Sequence, residues 1–104
     1  GKEHDGSLSL GGALRAVALG KGKNIDLQDS SEALRLRRVV ACTSQRELVD
    51  ILRPILRYLN SKDAALSYER LLKELMTFHF EDAQERTKAR WIKDFYTKVE
   101  EVQS

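Results

Sequence analysis

"TKARWIKDFYTK", residues 87–98, decides how this chain is read. Trp91, Ile92, Phe95 and Tyr96 stand at i, i+1, i+4 and i+5, and Val99 and Val102 extend the series. That period marks one face of an α-helix, not the alternation of a strand. The stripe predicts that Trp91, Phe95 and Tyr96 are core, because aromatic rings that stack on bases must be exposed. Arg86, Lys88 and Arg90 guard the entrance of the same helix, where they are candidates for an anionic partner. Glu81, Asp82 and Glu85 precede them. Carboxylates suit the start of a helix, where the dipole favours negative charge.

The segments upstream carry the same helical period. In "SYERLLKELMTF", residues 67–78, Ser67 is a helix cap and Leu71, Leu72, Leu75 and Met76 are expected inward. "HFED" then breaks the helix. In "TSQRELVDILRPILRYLNS", residues 43–61, Ser44 and Glu47 make a capping box. Leu48, Ile51, Leu52, Ile55 and Leu59 form its apolar stripe, with Arg46, Arg53 and Arg57 off it. Pro54 predicts a kink, or a helix restarting there, because it leaves the Asp50 carbonyl without its donor.

"DSSEALRLRRVVA", residues 29–41, supplies another helix, capped by Asp29, Ser30 or Ser31, with Ala33, Leu36, Val39 and Val40 inward. Arg35 and Arg38 share its other side. "SLSLGGALRAVAL", residues 7–19, is a first helix with Leu10, Leu14 and Val17 on one side. Gly11 and Gly12 weaken it but allow a second backbone or a strand of nucleic acid to approach closely. A flexible loop is expected near 20–29, where Lys21 and Lys23 lie between glycines, and residues 1–7 are expected to fray. The fold class is therefore all-α: a bundle of about five helices forming a single helical domain over 1–104.

Composition agrees. The chain has 104 residues, 41% hydrophobic and 33% charged, with one Pro and six Gly. Its net charge is only +2, but residues 33–57 carry six arginines against Glu47 and Asp50, whereas residues 61–104 are net −1. The middle of the chain is the electrostatic candidate for a phosphate partner. No run approaches the roughly 20 apolar residues of a membrane span. Cys42 stands alone, so it reads as a small buried hydrophobe in a reducing compartment, the cytoplasm. His4 and His79 have no metal-ligand spacing, and "GKGKN" lacks the spacing of a phosphate loop. His79 reads as a helix-end residue packed on its aromatic neighbours. The residues point to no catalytic group, no metal and no cofactor.

Four elements, in order, carry a resemblance to a known family. "LSYERLLKELMTF…RTKARWIKDFY" resembles the CasB small subunit of the type I-E CRISPR Cascade complex. Leu66, Ser67 and Tyr68 stand for a Leu-Asp-Tyr element. Leu71, Leu72 and Leu75 follow as its leucine helix, with Glu74 in place of Asp. Lys88, Trp91, Asp94, Phe95 and Tyr96 match the last helix. "SLGGALRAV" is similar to a "SLGRALR" element, with Gly12 replacing an arginine, and "LRLRRVVACTSQREL" is similar to a fourth. The resemblance spans roughly 7–98. It implies a non-catalytic subunit that binds nucleic-acid backbone and stabilises the R-loop, meaning the guide–target duplex and the displaced DNA strand. It also implies a second copy of the chain and the other subunits of the RNA-guided complex as partners, and an N-terminally longer, two-bundle protein. The residues assigned to nucleic-acid binding are Arg35, Arg38, Arg53, Arg57, Arg86, Lys88 and Arg90. Arg35, Arg86 and Lys88 rank highest, since the family carries basic residues there. The alternative is a helical protein–protein adaptor with a solvated basic face.

Overall fold

Three serines start three of the helices. The side-chain oxygens of Ser30, Ser44 and Ser67 accept the amides of Ala33, Glu47 and Arg70 at 3.0, 3.1 and 3.2 Å. Each satisfies an amide that the first turn leaves without an intrahelical partner. Glu47 reaches back across its helix start and accepts the Thr43 amide, one residue before the Ser44 cap, at 3.1 Å. Of Asp29, Ser30 and Ser31, the three caps open in the sequence, Ser30 is the one used.

The structure is a computed structural model that describes residues 8–20 and 26–96. Its elements are α1 (Leu10–Gly20), a 3-10 turn (Leu27–Asp29), α2 (Ser31–Val40), α3 (Gln45–Ser61), α4 (Tyr68–Thr77) and α5 (Glu81–Tyr96). The all-α class and the five helices are borne out. Lys21, Lys23, Val99, Val102 and residues 1–7 lie outside the described residues. The end of the expected 20–29 loop is instead a 3-10 turn, capped by Asp26 through the Gln28 amide at 3.0 Å.

One core joins all five helices, with Leu10, Leu14, Leu36, Leu48, Leu59, Phe78, Trp91 and Phe95 among its most buried members. α1 and α5 make its spine. A Cβ built on Gly11 would stand 2.0 Å from the Trp91 carbonyl oxygen, so only glycine fits there. The close approach allowed by the glycine pair is thus made by the backbone of α5. The two helices are also tied by hydrogen bonds. Ser9 Oγ donates to Asp94 at 2.5 Å, and the buried Arg15 guanidinium donates to the Phe95 carbonyl at 2.9 Å. A short parallel bridge, with the Leu8 amide on the Ala65 carbonyl and the Ser67 amide on the Leu8 carbonyl, pins the entry of α1 to that of α4.

Three expectations need correction. Ile92 and Tyr96 are 41% and 39% exposed, so the seam of α5 is Thr87, Trp91 and Phe95, narrower than the apolar stripe. The tight approach at Gly11 leaves room for one row of side chains, and residues 100° round the helix fall outside it. Leu72 and Met76 are 57% and 62% exposed. α4 is turned so that Glu74, not these two, faces α5 beside Leu71. Trp91 explains why, because its indole N–H needs a buried acceptor and Glu74 supplies it. No restart occurs at Pro54, since α3 is one helix through it. Pro54 and Asp50 are exposed, so the carbonyl left without a donor is open to water.

The glycine pair supplies a test. Gly11→Ala is expected to cost at least about 1–3 kcal/mol, the usual penalty of overpacking, because backbone on α5 must move. Gly12→Ala meets only Leu8 at 3.5 Å, an ordinary contact, and is expected to gain up to about 1 kcal/mol from helix propensity. Urea unfolding of both variants checks this, and equal stabilities would remove the close approach as a constraint.

Candidate nucleic-acid interface

The turn Phe78–Phe80 folds α4 back along α5, and this hairpin sets the first cluster of charge. Glu74 lies buried between the helices. Its Oε1 accepts Trp91 Nε1 at 3.1 Å, and its Oε2 accepts an Arg90 guanidinium N–H at 3.3 Å. Arg70 Nε stands 4.0 Å from Oε2. The carboxylate therefore fixes the indole on one side and steers two guanidinium groups on the other. Above it a groove of about 310 Å³ opens, lined by Arg70, Lys73, Arg86 and Arg90. Four cations face one carboxylate there, so the groove is electropositive. Lys73 also reaches Glu69 at 3.8 Å, but both side chains are exposed. Such a pair is worth only about 0–1 kcal/mol, so an anion displaces it readily.

The second cluster lies between α2 and α3. Arg35 and Arg38 line a groove of about 430 Å³ together with Leu34, Asp50, Ile51 and Pro54. The Arg35 guanidinium carbon sits 3.8 Å from the centroid of the Tyr58 ring, within cation–π range. The Tyr58 hydroxyl donates to the carboxylate of Glu32, which is fully buried. Arg35 is thus laid on a ring that is itself anchored, whereas Arg38 is exposed.

The seven residues named from the sequence fall into separate groups. Arg86 and Arg90 share the α4–α5 groove, and Arg35 and Arg38 share the α2–α3 groove. Arg53 and Arg57 are exposed one turn apart on α3 and line neither. Lys88 points away from Arg86, with Nζ 5.8 Å from the Phe78 ring. It also lies close enough to Cys42 to oppose the rise in the thiol's pKa, which burial and the Glu47 carboxylate produce. Cys42 is buried, and His79 packs on Phe80 with centroids 4.0 Å apart, as expected. Among the described residues, no ion pair joins Glu81, Asp82 or Glu85 to Arg86 or Lys88.

Arg70 and Lys73 do not stand out in the sequence, because they lie in a segment of net charge −1. Their i, i+3 spacing, facing Arg86 and Arg90 at i, i+4 across a three-residue turn, is the signal that finds them. Tyr58 and the buried roles of Glu32 and Glu74 do not stand out there either. Among the described residues, no group of three or more His, Cys, Asp or Glu is placed to hold a metal. No helix among the described residues is long and apolar enough to cross a membrane.

The family model described as CRISPR-associated protein Cse2 matches residues 1–96, which bears out the resemblance read from the sequence. No curated protein and no solved structure matched the chain.

The Glu74 junction separates charge from hydrogen bonding. Glu74→Ala leaves the buried Trp91 N–H without an acceptor and is expected to cost about 1–3 kcal/mol. Glu74→Gln retains an acceptor oxygen and is expected to recover most of that loss. Chemical denaturation of the two variants reads the difference. Equal losses would show that the indole bond does not matter to stability.

Proposed function

Because the chain belongs to the family of CRISPR-associated protein Cse2, the small subunits of the type I-E CRISPR Cascade complex, we propose that it is a non-catalytic subunit that holds nucleic-acid backbone and stabilises the R-loop. It does so in the cytoplasm, beside a second copy of itself, with target DNA and its displaced strand as ligands. The observation that carries this reading is the gathering of Arg70, Lys73, Arg86 and Arg90 into one groove.

The mechanism is electrostatic. A guide–target duplex is about as stable as the DNA duplex it replaces, so strand exchange is nearly balanced. A subunit that binds the displaced strand opposes re-annealing. Each neutralised phosphate releases condensed counterion, with a slope of roughly −0.7 in log K against log salt for a single strand. A few such contacts decide a balanced equilibrium. They read no bases, which suits a complex that accepts any target matching its guide. The cations stand on helices braced by the α1–α5 spine, so little conformational freedom is lost when a strand settles on them.

A helical adaptor is the second reading, and one observation favours it. Tyr68, Leu72 and Met76, four residues apart on α4, form an exposed apolar stripe. In a subunit of an assembly, one helix can present cations at the groove and an apolar row to a neighbouring subunit.

Target-DNA affinity of assembled complexes over a salt series separates the two. Arg86→Glu and Arg38→Glu are expected to weaken binding for every target sequence. Each should flatten the salt slope by about 0.7 per lost contact. Lys88→Glu, turned away from both grooves, is expected to do less. If affinity and slope stay at wild-type values for Arg86→Glu and Arg38→Glu, the backbone-holding role fails. Leu72→Asp, in contrast, is expected to leave the subunit folded and block its incorporation, and full incorporation would count against the adaptor reading.

A further inference from the structure

The two grooves differ in chemistry. The α4–α5 groove is lined by cations around a carboxylate, with Thr77, Ala83 and Thr87 as its uncharged part. Its uncharged lining holds no large apolar side chain. The α2–α3 groove has apolar walls on both sides, Leu34 from α2 and Ile51, Pro54 and Ile55 from α3, with Arg35 and Arg38 at the α2 wall. Leu34 is exposed, so the apolar wall meets solvent. At about 430 Å³ the groove lies within the roughly 300–1,000 Å³ of small-ligand sites.

We propose that the α2–α3 groove receives an unstacked nucleobase of a single strand, which stacks on the Arg35 guanidinium while Arg38 meets the adjoining phosphate. This rests on the nucleic-acid reading above and adds a base subsite to a surface otherwise read as backbone-binding.

Three features select a base over a phosphate. The first is the platform. Arg35 lies 3.8 Å from the Tyr58 ring centroid, and Tyr58 is held by its hydroxyl bond to buried Glu32. The guanidinium carbon is held over the ring and Arg35 lines the groove, and bases stack on guanidinium planes as they do on aromatic rings. The second is Asp50, an acidic residue that lines the same groove. It repels a phosphate there but accepts a hydrogen bond from the exocyclic amine of a base. The third is the apolar wall of Leu34, Ile51 and Pro54, which a hydrated phosphate gains nothing by touching and a base face covers. The subsite is tolerant of sequence, because every base has a π face.

The charge-conserving variant Arg35→Lys tests this, since a lysine keeps the cation and loses the plane. Fluorescence anisotropy of the full chain with two labelled probes of about 12 nucleotides, an oligothymidylate and an abasic strand of equal length, holds phosphate number constant. The wild type is expected to prefer the base-bearing strand about tenfold, the loss that removing one stacked base produces. Arg35→Lys should abolish that preference while leaving abasic-strand affinity and the salt slope of both probes unchanged. Equal wild-type affinity for the two probes, or a preference that survives Arg35→Lys, overturns the base subsite and leaves backbone binding standing. Absence of salt-sensitive binding to either probe overturns both. Normal strand binding by Arg35→Lys with failed incorporation into the assembled complex makes the groove a protein contact, and that outcome also overturns the proposal.

Discussion

The approach of α1 to α5 at Gly11 is the constraint on which the rest of the molecule depends. A side chain at that position would overlap the backbone at Trp91, so the contact distance is set by the absence of a Cβ. Backbones that close bring polar main-chain groups into the interior, and these must be satisfied. Arg15 answers for the Phe95 carbonyl, and Ser9 ties the other side of the helix through Asp94. The same geometry drives the Trp91 indole across α5 towards α4. There it requires an acceptor and so determines which face of α4 turns inward. The orientation of α4 then decides which charges line the groove and which apolar side chains are left to solvent.

Polar partners sort the basic residues by task. Arg15 is buried and bonded to backbone, so it belongs to the fold. Arg90 is steered by Glu74 but keeps part of its surface in the groove. Arg35 lies over the Tyr58 ring, and Lys88 sits near Phe78. Arg38, Arg53, Arg57 and Arg86 are exposed on helix surfaces. Net charge alone cannot make this distinction, because each of these residues counts as one positive unit whether it braces a helix or faces a ligand. The buried carboxylates have a corresponding role. Glu74 and Glu32 each place an arginine, the former directly and the latter through the Tyr58 ring.

Much of the fold was legible because the period of apolar residues and the serines before three of the runs are local signals. Ser30, Ser44 and Ser67 cap where the sequence allows, and Leu48, Leu52, Ile55 and Leu59 are buried as their spacing requires. The face of α4 was not legible. Leu71, Leu72, Leu75 and Met76 span more of the helix than one neighbour can cover, and propensity does not say which part stays wet. What chose was a single hydrogen bond from a residue seventeen positions away, Trp91 to Glu74. The same limit applies to the site. Arg35 with Arg38 and Arg86 with Arg90 are pairs within one helix and are visible as spacing. Arg70 with Arg86 is a pair across a hairpin and depends on how the two helices are turned.

The residues that carry the family resemblance are mostly structural in this chain. Leu66 pairs with Leu8, and Ser67 caps α4. Trp91 and Phe95 fill the core, and Asp94 holds Ser9. The arginine of "SLGGALR" is Arg15, buried against α5. These motifs therefore specify a scaffold, and a match to them identifies the scaffold and not its contacts. A ligand-facing cation needs only to stand somewhere along a groove, because a phosphate backbone offers a charge at every nucleotide. Its position can move by a turn of helix without loss, as long as the groove remains. Gly12, where the resemblance has an arginine, fits this view. A charge absent from α1 is compatible with the same task when α4 and α5 supply four cations to a groove of their own.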